Sequence, residues 1–531
     1  MNFRQAVCLM KGRSRLLLPL LASVILGLGG IGVASAQQAQ VAQTQAPQAA
    51  SESSPSSRTS LDYYKGHSLG GHNDYLFRYE EDYSYLSDPK RSTDMFDPLK
   101  YLPLSPDGTI WLSLNAGLRL MYDHNLTNVA GAPFGSLNDL YERATAGADL
   151  HVGDHFRAYF EAIDGQYHGT GPMPGVTTTD LGVYNAFVEF MGTAGETKYG
   201  VRIGRQQVWI GNALMFGINE LTNIPQTQNG ARAYADWGSG RIDVFDFMPT
   251  NYGLTALSGN INTGVHMSGI YTSFDLPALS LFGAPTQTTL DPFLFRFTSA
   301  AGTYYDASLA LPSMGRPEYV TGSDERDTLG LRYSGKIGGV DFDYTGAVQG
   351  GNFAGRPVEA WMFATDTGYT FNTLPLTPRL GMQVDGASGG DSSQRGGSLH
   401  TYQPMYFDAP YYSEALAVSP TNLIDLSPHF TIKPAPRLSI DAYWAFYWRQ
   451  TLGDAIYSGL FGGALSINPY AGTERTGGRY IGQQPTLAFR WRATKHLFVD
   501  LTLAYFKPGE ALRSVGGTST PWVLFFTSLS F

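Results

Sequence analysis

From Ile110 to Phe531 the chain alternates between apolar and polar positions with a period of two. In 110–123 the even positions Ile110, Leu112, Leu114, Ala116, Leu118, Leu120 and Tyr122 are apolar, with Ser113, Asn115, Arg119 and Asp123 between them. A β-strand throws successive side chains to opposite faces, so this run predicts a strand greasy on one side and polar on the other. The pattern returns in 141–152, where Ala144, Ala146, Ala148, Leu150 and Val152 oppose Arg143, Thr145, Asp149 and His151. Further strands fit at 155–165, 181–191, 196–206, 230–237, 241–248, 263–273, 290–298, 326–335, 339–350, 357–368, 378–386, 425–433, 436–449, 480–492, 496–506 and 521–531, eighteen with the first two. The alternation is weakest at 290–298 and across 230–248, where it slips.

The connections alternate as well. Gly153-Asp154, Gly238-Ser239-Gly240, Gly338 and Pro434-Ala435 read as tight turns, and 207–229, 299–325, 387–424 and 450–479 as long linkers. Short turns at one end, long loops at the other and an even strand number predict a transmembrane antiparallel up-and-down β-barrel of about 18 strands over 109–531. A soluble sandwich needs fewer strands and does not turn Leu, Phe and Trp outward so consistently. Val523, Phe525, Thr527, Leu529 and Phe531 share one face of the last strand, and an aromatic at that end resembles the assembly signal of outer-membrane barrels. Trp444, Trp448, Trp491, Trp522 and Tyr505 fall near strand ends, where interfacial aromatic girdles belong.

Composition agrees. Charged residues are 15% of 531, glycine numbers 62 and aromatics reach 13%, while mean hydropathy stays slightly below zero. That profile excludes a bundle of membrane helices and suits a wall in which alternate residues face lipid.

The N-terminus divides into three parts. Arg4, Lys11, Arg13 and Arg15 precede an apolar stretch, 16–33, and then Ala34-Ser35-Ala36. This predicts a secretory signal peptide over 1–36, cleaved near Ala36, rather than an uncleaved anchor. The only cysteine, Cys8, lies within it, so the mature chain offers neither a disulfide nor a thiolate metal ligand. Removing those four cations takes the formal charge from −9 to −13, which excludes a basic nucleic-acid-binding protein. Residues 37–60 are rich in Gln, Ala, Ser and Pro and predict a disordered leader. Residues 61–108 mix tyrosine and charge, as in Arg78-Tyr79-Glu80-Glu81-Asp82-Tyr83, and predict an N-terminal periplasmic or plug-like module.

Two motifs imitate enzymes. Gly27-Leu28-Gly29-Gly30-Ile31-Gly32 matches a dinucleotide fingerprint but falls inside the signal, with no strand before it. Gly386-Ala387-Ser388-Gly389-Gly390 matches a serine elbow, yet loop composition follows where a helix is required, so a flexible outer loop is expected. The histidines show no metal-ligand spacing. A barrel enzyme would need a Ser/His or Asp/His constellation at the rim; His151 and His155 lie near Asp149 and Asp154 without a serine partner. The expectation is no enzyme, no metal and no cofactor.

If apolar positions face lipid, their neighbours face inward. That places Arg119, Arg143, Arg157, Arg202, Arg296, Arg332, Arg379, Arg449, Arg490 and Arg492 in the lumen. It also places Asp149, Glu161, Glu189, Asp243, Asp341, Asp343, Glu359, Asp385, Asp441 and Asp500 there. Such rows are either internal ion pairs or a path for polar solutes, and their signs nearly balance.

Several short motifs, in order, resemble the alginate-export family of outer-membrane barrels. They are Val201-Arg202-Ile203-Gly204-Arg205-Gln206 with Gly211 and Asn229-Gly230-Ala231-Arg232; Pro378-Arg379-Leu380-Gly381 leading to Asp385-Gly386-Ala387-Ser388-Gly389; Gly482; and Phe506-Lys507-Pro508-Gly509-Glu510. The segment from Arg78 to Leu104 resembles one found in many members. The resemblance implies an 18-stranded barrel in the bacterial outer membrane and a route for a polar or anionic solute, possible cargoes including an alginate-like polysaccharide. It implies arginines at the constriction, with Arg202 and Arg205 first, then Arg232 and Arg379; a bulge at the strand end would turn Arg205 inward. Gln483-Gln484-Pro485 departs from the family, which often has an acidic residue after Gly482. A substrate-uptake porin is the alternative. The partners expected are outer-membrane lipid and lipopolysaccharide, the barrel assembly machinery, and a saccharide or small solute.

Overall fold

In the computed structural model the described residues are 77–124, 138–169, 177–281, 283–306, 319–394, 396–459 and 468–531. The signal, the leader, residues 61–76 of the N-terminal module and the Gly27–Gly32 motif lie outside them.

Eighteen long antiparallel strands form the wall among the described residues. They are β1 (Ile110–His124), β2 (Asn138–Val152), β3 (Phe156–His168), β4 (Thr179–Ala194), β5 (Thr197–Gln206) and β6 (Gln228–Asp236). β7 (Gly240–Asn251), β8 (Val265–Asp275), β9 (Ala284–Tyr305), β10 (Tyr319–Ile337), β11 (Val340–Phe353) and β12 (Arg356–Thr370) follow. β13 (Arg379–Ala387), β14 (Leu423–Ala435), β15 (Leu438–Trp448), β16 (Tyr480–Arg492), β17 (Leu497–Pro508) and β18 (Thr520–Ser530) complete the circuit. Each strand pairs with its sequence neighbours, and β18 closes on β1 from Gly117↔Ser530 to His124↔Val523. Phe531 extends that seam by exchanging backbone hydrogen bonds with Ala116 at 3.0 and 3.2 Å.

Each of the eighteen segments read from alternation overlaps one strand. The linker expected at 299–325 is shorter than that, because β9 runs on to Tyr305 and β10 begins at Tyr319. One connection at the long-loop end is a two-residue turn, Ala354-Gly355, with φ of 48° and 86°. Positive φ at both positions is the geometry that suits the twist of a hairpin.

The alternation slips at 230–248 for a physical reason. On β7–β9 the inward face is apolar too: Phe245, Phe247, Met267, Phe293, Phe295 and Phe297 are buried. Two loops fold inward to meet them. Tyr406 donates its N–H to Met215 O at 2.9 Å, Gly217 N–H donates to Tyr406 O at 2.6 Å, and Phe216 packs among Phe245, Phe247 and Tyr406. The loop 207–227 is thereby tied to the loop 388–422 inside the barrel. Ser388 is buried, accepting from Trp361 N–H at 3.0 Å, so the segment read as a flexible outer loop is an ordered continuation of β13.

The outer face shows where lipid ends. Val244, Ile270, Leu294, Leu329, Val348 and Trp361 are register partners across β7–β12, each between 38% and 58% exposed. One rung nearer the long loops the corresponding row is Asp246, Ser268, Arg296, Asp327, Gly350 and Glu359. The apolar band ends between these rows. Arg296 and Glu359, expected in the lumen, therefore point outward above the band. Arg296 pairs there with Glu325 at 3.2 Å, because beyond the membrane edge the outward face is wet.

Candidate functional site

The segment before β1 enters the barrel. Tyr79 is buried against Phe77, Tyr159 and Phe187, and its hydroxyl donates to Gln207 O at 2.7 Å. Burial pushes that hydroxyl well above its ordinary range, so it stays a donor. The Arg157 guanidinium donates to Tyr79 O, and the Arg202 guanidinium lies 4.7 Å from the Tyr79 ring and 4.5 Å from the Phe187 ring. The inserted chain thus bridges the wall at β3–β5 and the infolded loop 207–227.

Around it the predicted arginines are neutralised in a chain of pairs. Arg157 binds Asp149 at 2.7 Å and Glu189 at 3.5 Å, and Arg202 binds Glu189 at 3.0 Å. Arg232, the register partner of Arg202, binds Asp243 at 2.8 Å, and Arg241 takes the other oxygen of Asp243 at 2.7 Å. Two guanidiniums face each other across β5–β6 because each has its own carboxylate on the next strand. Elsewhere Arg332 joins Asp291 and Asp343, and Arg379 joins Asp341 and Asp366. Arg490 joins Glu414, Asp441 and Asp500. Double and triple partners of this kind fix geometry and leave little net field.

One place differs. Arg119 and Arg143, register partners on β1 and β2, converge on a single carboxylate, Glu220. Arg119 also donates to Glu220 O at 2.8 Å and Thr222 O at 2.9 Å. Arg119 Nε and Arg143 Nη1 have no acceptor among the described residues, as is also true of Arg202 Nε and Nη1, but Arg202 has Glu189 while these two share one carboxylate. Both arginines line a small open cavity with Phe77, Arg78, Glu161 and Glu220. Arg78 there has its own carboxylate, Glu81, at 3.7 Å. Glu161 is engaged by Asn185 Nδ2 at 2.8 Å.

Besides Arg296 and Glu359, two more expected lumen residues lie elsewhere. Arg205 is out of phase with Arg202. The pairing of β5 with β4 and with β6 runs through Ala186↔Arg205 and Arg205↔Asn229 without a register shift, so no bulge turns it inward. It shares the outward face of Tyr199, Val201 and Ile203, donating from Nη1 to Val183 O at 2.8 Å and from Nε to Asn229 Oδ1 at 3.0 Å. Arg449 follows β15 and is fully buried in the loop 449–479, donating to the carbonyls of Thr473, Thr476 and Gly478. It staples that loop.

The family glycines have a use. Gly204 and Gly230 are register partners with φ of 133° and 155°. A Cβ at Gly204 would lie 2.2 Å from Ala186 O, so only glycine lets β4 and β5 pair this closely. Gln484, where the family often has an acidic residue nearby, is buried and accepts from Ser413 Oγ at 2.9 Å, anchoring the infolded loop 388–422.

Sequence reasoning missed Glu220, Glu414, Arg241, Asp291 and Asp366. Arg241, Asp291 and Asp366 sit on strands and share the inward parity of Asp243, Phe293 and Ala364, a signal that was present. Glu220 and Glu414 are on loops, where alternation says nothing.

The barrel is similar to solved outer-membrane proteins of Pseudomonas aeruginosa. The outer membrane protein opdK is 8% identical, with 79% of this chain and 98% of that chain covered and a TM-score of 0.50. OccK9 (OpdG) is 9% identical at the same coverage and TM-score. OccD3 (OpdP) is 10% identical over 83% of this chain and 96% of that one, with a TM-score of 0.49. No curated protein matches the chain in sequence. Residues 110–524, from the start of β1 into β18, match the family described as alginate export, and the chain belongs to this family of outer-membrane channels.

Proposed function

We propose that this channel passes a carboxylate-bearing saccharide through the space beside β1–β3. The observation that carries this reading is the Arg119–Glu220–Arg143 arrangement, in which two guanidiniums share one carboxylate and keep unspent donors beside a polar cavity. Guanidinium forks match carboxylates, and open guanidinium donors beside a polar cavity attract an anion without trapping it. The other candidate arginines, Arg157, Arg202, Arg232, Arg379 and Arg490, together with Asp243, Asp341 and Asp441, serve in this reading as the paired scaffold that sets the bore. No residue is assigned a catalytic role. The chain reaches the outer membrane after cleavage near Ala36 and insertion by the assembly machinery, and mass spectrometry of the mature N-terminus checks the cleavage.

Planar-bilayer recording tests the path. In a potassium chloride gradient, replacing Arg119 and Arg143 together by Gln is expected to move the reversal potential toward cation preference and to weaken block by an added polyuronate. Glu220→Gln is expected to move it the opposite way. A reversal potential unchanged in both variants places the conducting route elsewhere.

A further inference from the structure

Among the described residues Arg205 has no carboxylate partner. Arg202, three positions earlier, is held by Glu189, whereas the only hydrogen-bond acceptors of Arg205 among the described residues are a backbone carbonyl and the side-chain oxygen of Asn229. It is half-buried on the outer side of the wall, with no compensating anion among the described residues. Such an arrangement asks for an external negative partner.

Its height is known from the register. Ile203 pairs with Ala231 and Ala231 with Asp246, which belongs to the first charged row above the apolar band. Arg205 and Asn229 form the next rung up, together with Met248. Arg205, next to last in β5 and directly above the exposed Ile203, thus lies at the long-loop end of the wall, where the apolar band gives way to polar residues.

An open cavity lies there, lined by Val183, Ala186, Arg205, Asn229, Tyr252 and Leu257. Its roof is the loop after β7, which crosses to the top of β4. Asp180 N–H donates to Leu254 O at 3.3 Å, Leu257 N–H donates to Leu181 O at 3.1 Å, and Thr179 Oγ1 donates to Gly253 O at 2.8 Å. The loop presents Leu254 and Leu257 at 52% and 65% exposure. Leu257 also has φ of 54°, a conformation leucine adopts at a cost. Neither burial nor local backbone preference accounts for a leucine there.

The geometry points to a binding site on the outer wall for a phosphorylated glycolipid of the outer leaflet. Arg205 takes the headgroup phosphate, and Leu257, lining the same cavity on its long-loop side, covers the headgroup. A phosphate accepts two parallel hydrogen bonds from a guanidinium, which an ammonium does not reproduce. The site does not depend on what the lumen carries.

Native mass spectrometry of the detergent-purified mature protein tests it, with diphosphoryl lipid A, the same lipid dephosphorylated, and inorganic phosphate as probes. The intact protein is expected to retain diphosphoryl lipid A about tenfold better than the dephosphorylated form, as fits loss of a charged hydrogen bond. Arg205→Gln is expected to remove that difference and Arg205→Lys to restore part of it. Leu257→Asp, on an exposed loop where aspartate suits the backbone better, is expected to weaken retention without touching the wall. Equal retention by the wild type, Arg205→Gln and Leu257→Asp overturns the site. Displacement of the lipid by an equal concentration of inorganic phosphate overturns the lipid assignment and leaves a free-anion site.

Discussion

Phe96 lies flat against Phe531, with ring centroids 4.5 Å apart and planes 9° apart. The first described segment of the chain is therefore docked on Phe531, across the seam where β18 closes on β1. Lys100 Nζ stands 5.6 Å from the same ring, and Asp94 binds Lys495 at 2.7 Å and His496 at 2.8 Å on the β16–β17 turn. Phe531 serves two purposes, which mutation separates. Deleting it removes the backbone pairing with Ala116 and is expected to impair assembly, read as loss of heat-modifiable protein in outer-membrane fractions. Phe96→Ala keeps that pairing and loses an aromatic stack of about 0.5–1.5 kcal/mol. It is expected to assemble normally while exposing residues 77–104 to protease.

The same clasp responds to pH. Burial pushes the Asp94 carboxyl up, but hydrogen bonds from Lys495, the Phe96 N–H and His496 outweigh it and hold the group at about 2, below the ordinary 3.8. A carboxyl depressed in the docked state adds stability that is complete above the undocked value and is lost as pH falls from about 4 to about 2. Lys100 acts at the other end. Burial pulls its ammonium down to about 8 from 10.5, so between these values the undocked state binds more protons and docking strengthens as pH rises. Protease cleavage of the segment is expected to accelerate below about pH 4 and to slow further above about pH 8. Asp94→Asn should abolish the acid limb and leave the alkaline one.

Glu189 neutralises both Arg157 and Arg202 and is 1% exposed. Removing one partner of a buried ion pair typically costs about 3–5 kcal/mol, since the remaining charge is left unpaired. Glu189→Gln is expected to lower the denaturant midpoint of the folded barrel by a corresponding amount, followed by tryptophan fluorescence. Arg119→Gln leaves Glu220 with Arg143 and should cost much less. Equal losses in the two variants would mean that the lumen is wet enough to screen both.

Strand positions were legible because lipid enforces alternation: Leu118, Leu120 and Tyr122 face out, Arg119 and Asp123 in. The pattern weakened where the inside turned apolar, as at Phe245 and Phe247, and parity misled at the rim, where Arg296 and Glu359 face outside water. Which carboxylate meets which arginine was legible between adjacent strands, as for Arg232 and Asp243. It was hidden where a loop supplies the partner. Glu220 reaches Arg119 across 101 residues of sequence, and no periodic signal marks a loop that folds inward. For Arg205 parity gave the right face, and the assumed bulge moved it to the wrong one.

Gly204 offers a test of the family pattern. With φ of 133° and Ala186 O only 2.2 Å from a built Cβ, alanine there must push β4 from β5 or change the backbone. Gly204→Ala is expected to reduce assembled barrel several-fold, while Gly346→Ala, whose Cβ meets nothing within 4 Å, leaves the yield unchanged. Heat-modifiable mobility measures both. Similar yields would show that the glycine is not required for closure.

The N-terminal segment controls the bore if it fills space that solute would otherwise use. An 18-stranded lumen leaves an aqueous channel unless something occupies it. Here Phe77 and Arg78 line the cavity beside Arg119 and Arg143, and Tyr79 is fixed by Gln207 O and the Arg202 guanidinium. The segment meets the infolded loop 207–227, so two fillers arriving from opposite ends share one interface. Withdrawing it opens the periplasmic half while Glu220 stays on its arginines. A chain lacking residues 61–104 but retaining the signal is expected to insert and to show larger single-channel conductance. Tyr79→Ala, which removes the stacked ring but keeps the backbone, is expected to give noisier conductance with brief openings to the larger level. If the shortened chain inserts normally and conducts no better than the full one, the route runs elsewhere and the segment is a docking surface for a periplasmic partner.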